Sequence, residues 1–154
     1  MAKDKGQVRR VLQILSPEDQ ETLAILHNPP VMEELLRRQE TWAEVKAAGL
    51  PEVVGDAVAD VVVPVRLFPT VLEDLRALPD AVQDTLLEAH LRALSTAPGE
   101  GLALTQIFQG LRLAIGTIEA VDYRLIYAMN AEDASVTVLM IGVWASLEEH
   151  LENS

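Results

Sequence analysis

From Ala103 to Trp144 the apolar positions fall in short runs separated by turn-forming residues, the pattern of antiparallel strands. Leu104 to Gln109 reads as one strand and Gln109-Gly110 as a turn. Leu111 to Ile118 follows, then Asp122 to Met129, then Ser135 to Trp144, each rich in β-branched, aromatic and aliphatic residues. Asn130 to Ala134 is polar and suits a turn between the last two strands.

Upstream of this region the spacing becomes helical. Val8 to Leu15 predicts a short helix. Ser16-Pro17-Glu18-Asp19 then supplies an N-cap, a proline for the first helical position and acids for the first turn. That helix carries Leu23, Ile25 and Leu26 and stops at Asn28-Pro29-Pro30. The next places Val31, Leu35, Leu36, Trp42 and Val45 on one face and ends at Gly49 and Pro51. Residues 51–60 read as a short acidic linker with one helical turn at most.

Val61 to Phe68 is a strand by composition. Pro64 has no N–H for a ladder, so it belongs at a sheet edge or where pairing begins. Pro69-Thr70 opens a helix through Leu78, and Asp80 to Ala97 forms a longer one with Val82, Leu86, Leu87, His90, Leu91 and Leu94 on a broad face. Ser146 and Glu149 have capping-box spacing, which places a last helix at Ala145–Glu152. The chain is therefore expected to be α+β. An antiparallel-rich sheet carries a helical hairpin in the order β-α-α-β-β-β, with an N-terminal helical extension. Residues 1–58 and 61–154 are the expected division.

Composition narrows the function. An apolar fraction of 49% over 154 residues supports a packed core. No apolar run approaches the roughly 18 residues of a membrane span, and the N-terminus lacks a signal-peptide pattern, so a cytoplasmic protein is expected. With no cysteine there is neither disulfide nor thiolate chemistry. The net charge of −12 has the wrong sign for a general nucleic-acid binder. Residues 61–154 alone hold five arginines, no lysine and thirteen acids, a net of −8. No phosphate-binding glycine loop, nucleophile elbow or zinc signature is present, so no cofactor or metal is expected.

Several words in residues 61–144 carry a resemblance. They are Val65 to Thr70 ahead of Leu72 to Pro79, Leu91 to Leu94 with Pro98-Gly99, and Gly110 to Leu113. Asp122-Tyr-Arg-Leu-Ile-Tyr127 and Val136 to Gly142 complete the set. In this order they resemble the RelE/ParE toxin superfamily of type II toxin–antitoxin modules. More weakly, Glu21 to Leu26 followed by Asn28 to Leu36 resembles the toxin-wrapping region of Phd/YefM-type antitoxins, whose amphipathic helices cover the toxin sheet. The resemblance implies a metal-independent, ribosome-dependent endoribonuclease.

The departures point to attenuation. Many members end the last strand in IGHR with a Tyr following, side chains the resemblance ties to RNA cleavage. Here that strand ends Ile141-Gly142-Val143-Trp144, and no Tyr follows. Ala114 stands where many relatives have a second Arg, and Thr117 to Asp122 is longer than the usual tight turn. The expected function is a toxin-fold protein whose mRNA interferase activity is attenuated or covered in cis. The alternative is a non-catalytic interaction module or homodimer on the same fold. Its partners would be antitoxin-like helices in cis or a separate antitoxin, or a second copy. The acidic charge argues against RNA or the ribosome.

Arg112 and Arg124 lie on neighbouring strands and could flank one phosphate; in the plainer reading each pairs with an acid such as Glu119 or Asp122. His150 could act as a general acid near the C-terminus or be a solvated helix residue. Leu35, Leu36, Trp42 and Trp144 are the candidate interface, where a helix before residue 50 would meet the end of the last strand.

Overall fold

Three long strands in a meander set the frame, and the inner one is buried on both faces from Tyr123 to Ala128. The computed structural model describes residues 5–44, 52–54, 63–130 and 135–152. In chain order these form α1 (Lys5–Ile14), α2 (Pro17–Leu26), α3 (Pro29–Glu44), β1 (Glu52–Val54) and β2 (Val65–Leu67). Then come α4 (Pro69–Arg76), a helix α5 over residues 80–96, and β3 (Leu102–Ala103). The chain finishes with β4 (Leu111–Ile118), β5 (Val121–Asn130), β6 (Ser135–Gly142) and α6 (Leu147–Glu152). The sheet order is β1-β2-β6-β5-β4-β3, with β2 parallel to β6 and the other pairs antiparallel.

The local signals explain most boundaries. Ser16 is extended and its Oγ accepts the Asp19 N–H at 3.1 Å, with Pro17 opening α2. Ser146 caps α6 in the same way, accepting the Glu149 N–H at 3.2 Å. Inside α5, Leu86–Leu91 widens to a π-helical turn. β2 is shorter than the expected Val61–Phe68: pairing starts after Pro64, whose carbonyl accepts the Val136 N–H, and ends before Pro69. Residues 61 and 62 lie outside the described residues, as do Val45 and Gly49. Pro64 thus marks where pairing begins. β2 is no edge, because β1, a strand not anticipated, pairs along its outer side.

Two expectations are corrected nearby. Leu104 to Gln109 is not a strand: β3 is only Leu102–Ala103, and Gln106–Phe108 makes a 3-10 turn in which Gln106 has φ 58°. That left-handed residue breaks extension and tucks Phe108 fully into the core. The last strand stops at Gly142, after which Val143 is exposed and Trp144 folds back under cover.

The β4–β5 connection is tighter than expected, a two-residue turn at Glu119-Ala120 with φ of 51° and 66°. Right-twisted strands favour this turn, but side chains in left-handed backbone are strained, which is why Asn-Gly is its preferred sequence. Changing Glu119 to Asn and Ala120 to Gly together should stabilise the protein by about 1 kcal/mol, read as a raised midpoint in thermal unfolding.

The sheet is covered on both faces. Gly116 of β4 lies against the His90 ring of α5: an added Cβ would sit 2.8 Å from it. That face, shared by even residues of β4 and odd residues of β5, carries the α4–α5 hairpin. The opposite face receives α2, through Glu21. From Ser135 to Ile141 every residue of β6 is buried, as a strand roofed on both sides requires. Ile25 and Leu35 of the N-terminal helices belong to the same core as Val71, Leu75, Leu86 and Leu91 of the hairpin.

Among the described residues no strand lies beside the edge of β6 beyond Val138, because β2 has already turned into α4. A bulge at Leu139 re-aims its backbone there. Asp74 of α4 accepts the Ile141 N–H at 3.0 Å, and Arg38 of α3 donates to the Leu139 carbonyl at 2.9 Å. The two side chains also pair with each other, at 2.6 and 2.9 Å. One ion pair therefore finishes the sheet and ties α3 to α4.

Candidate functional site

Residues opposite one another on adjacent strands share a face, and in the register between β4 and β5 Ile115 faces Arg124 while Arg112 faces Tyr127. Arg112 and Arg124 therefore project from opposite faces and do not flank a common phosphate. Neither pairs with Glu119 or Asp122; the Asp122 carboxylate accepts instead from the Thr117 hydroxyl at 2.6 Å.

Arg124 projects toward the N-terminal helices and is only 4% exposed. Its Nε donates to Glu21 Oε1 at 2.6 Å, its Nη2 to Glu21 Oε2 at 3.4 Å, and its Nη1 to the Trp144 carbonyl at 3.1 Å. Opposite Arg124 on β6 stands Gly142, and a Cβ there would meet the Trp144 ring at 3.1 Å. The absence of a side chain at Gly142 is what lets the indole fold over the strand end.

Glu21 is held in place by its neighbours on α2. Thr22 Oγ1 accepts the Thr105 N–H at 2.9 Å, and Asp19 accepts from the Thr105 hydroxyl at 2.8 Å. Gln20 donates to the carbonyls of Leu12 and Leu15, linking α1 to α2. The site at the end of β6 is thus a buried ion pair with its cation already neutralised.

On the other face, Arg112 donates to the carbonyls of Gly99 and Gly101 at 3.1 and 2.8 Å. The Tyr127 hydroxyl donates to the Pro98 carbonyl at 2.6 Å. Together they clamp the loop after α5. Burial pushes the Tyr127 phenol above its ordinary value of 10.0; the Gly101 backbone and Arg112 pull the other way, and Glu100 adds to the rise. The folded protein therefore holds this proton more tightly than the unfolded chain. That contribution is complete below pH 10 and is lost as pH climbs through the folded value. A steep fall in stability above about pH 10 is expected in alkaline denaturation, with a shallower fall in Tyr127→Phe.

His150 sits on α6, its Nε2 buried without a hydrogen-bond partner, and its ring lies 6.5 Å from that of His27. The described ring contact of His150 is with His27 rather than with any group of the sheet. Of the candidate interface, Leu35 is fully buried and Trp144 is 7% exposed, while Leu36 and Trp42 pack half-buried on the same core. Leu35 and Trp144 are thus packed within the chain, and Leu36 and Trp42 in part. Sequence reading missed Glu21, Asp74 and Arg38, whose partners lie 103, 67 and 36 or more residues away.

Among the described residues no cluster of three His, Asp or Glu could hold a metal ion, and no helix is long and apolar enough to cross a membrane.

From β2 to β6 the order is β-α-α-β-β-β-β, the two-residue β3 included, with α4 and α5 forming the expected helical hairpin. Two solved structures align with 55% of the chain. One is the toxin–antitoxin complex RelBE2 from Mycobacterium tuberculosis, with 28% identity over 99% of that chain and a TM-score of 0.47. The other is a mutant of the E. coli toxin RelE in the free state, with 18% identity over 84% of that chain and a TM-score of 0.44. No protein-family model matches this sequence, and no curated protein does.

Proposed function

We propose that this chain is a toxin-fold protein restrained in cis, its own N-terminal helices occupying the sheet face on which an interferase would bind RNA. The observation that supports the reading is the Arg124–Glu21 pair. A carboxylate from α2 sits bidentate on the buried arginine of the sheet, where a substrate phosphate would otherwise meet it. The position where the resemblance places a basic pair holds Val143 and Trp144, and the Trp144 carbonyl takes up a further donor of the same arginine.

An enzyme that cleaves RNA without a metal needs cations for the phosphate and a group to move the 2′-hydroxyl proton. Here the cation is engaged and the expected basic residues are replaced. The test is expression of the full chain beside Glu21→Arg, scored for growth arrest and for mRNA cleavage on ribosomes. Arrest and cleavage with Glu21→Arg alone support the restrained toxin. Silence from a folded Glu21→Arg leaves the non-catalytic interaction module as the better account.

A further inference from the structure

β4 is eight residues long, yet β3 pairs only with its Arg112 and Leu113, while the Leu104 N–H closes onto the Leu111 carbonyl. That bond shows the odd residues of β4 turning their backbone groups toward β3, since directions alternate along an antiparallel strand. Ile115 and Thr117 therefore aim N–H and C=O outward beyond the end of β3, and both residues are exposed. Alongside lies a cleft of about 320 Å³ between β4 and the second half of α5, walled by His90, Ala93, Leu94, Ala97, Ala114 and Leu125.

Sheet edges are ordinarily protected by a lysine, a proline, a bulge or a covering segment. Residues 114–118, Ala-Ile-Gly-Thr-Ile, contain no lysine and no proline. Acids stand at both ends of the stretch. Glu100 lines the cleft just before β3 begins, and Glu119 and Asp122 mark the hairpin end. Arg112 is engaged by the Gly99 and Gly101 carbonyls, and Arg92 does not line the cleft.

We propose that the open edge of β4 receives an extended, basic segment of a partner protein. The segment adds a strand against Ile115 and Thr117, drops alternate small apolar side chains into the cleft, and sets its cations against Glu100, Glu119 and Asp122. A second copy suits the edge less well. The chain carries a net −12, and pairing about Gly116 would bring Glu119 of each copy toward Glu100 of the other. The proposal is independent of the Arg124–Glu21 reading, which concerns the opposite face.

The test titrates the full chain with a capped heptapeptide of alternating lysine and valine, and with its glutamate-for-lysine counterpart. Backbone hydrogen exchange is read residue by residue. The basic peptide should bind and slow exchange at the Ile115 and Thr117 amides, and the acidic one should do neither. Thr117→Pro removes one outward N–H without touching the ladder to β5 and should weaken binding about tenfold. Glu100→Lys with Glu119→Lys should erase the preference for the basic peptide, and it decides the matter if the proline variant fails to fold. Equal binding of both peptides, or no protection at those two amides, would overturn the proposal. Protection that rises with protein concentration alone would also overturn it, by giving the edge to a second copy.

Discussion

Asp74→Ala is expected to cost about 2–4 kcal/mol, a large part of the stability of a domain this size. The carboxylate does three things at once. It shares the neutralisation of Arg38, whose side chain is 8% exposed, with Glu34, it receives two guanidinium donors, and it accepts the Ile141 N–H at the unfinished edge of β6. Alanine would leave the Ile141 amide without its acceptor and the buried Arg38 guanidinium held only by Glu34, at 2.8 Å, and the Leu139 carbonyl. Urea denaturation of the purified protein measures the loss. Asp74→Asn retains an acceptor oxygen for the amide and should fall between wild type and alanine.

The contrast with Arg37 makes the argument specific. Arg37 also pairs with an acid, Glu34, but its side chain is 71% exposed. Arg37→Ala should shift the denaturation midpoint barely at all, because exposed pairs are worth about 0–1 kcal/mol. Equal losses at Asp74 and Arg37 would mean that the β6 edge is satisfied by some other group.

Period and punctuation made the helices and the meander legible. Residues 80–96 show one apolar face, Ser16-Pro17 and Ser146 announce helix starts, and Leu111–Ile118 reads as a strand because its residues fit one. What escaped was set by distant partners. Three residues, Glu52–Val54, become a strand only because β2 offers an edge. Gln106 ends a strand through a left-handed backbone that its side chain does not advertise. The relation of Arg112 to Arg124 hinged on turn length. A two-residue turn at Glu119-Ala120 fixes the register that sends them to opposite faces, and reading a longer loop there left that parity open. Closer attention to the alternation along β4 and β5 was the one available signal.

The same long-range logic governs the second large effect. Glu21→Ala is expected to destabilise the protein by about 3–5 kcal/mol, since Arg124 would remain buried with only the Trp144 carbonyl as partner. If the cost comes from the unpaired charge, Arg124→Met in the Glu21→Ala background should recover much of it, because an apolar side chain of similar length has no charge to solvate. If instead α2 is held mainly by Asp19 and Thr22 on Thr105, Glu21→Ala should be mild and Thr22→Val severe. A double-mutant cycle between positions 21 and 124, followed by chemical denaturation, separates the two. A coupling near zero would remove the ion pair as the fastening of the N-terminal helices, and with it the physical basis for restraint in cis.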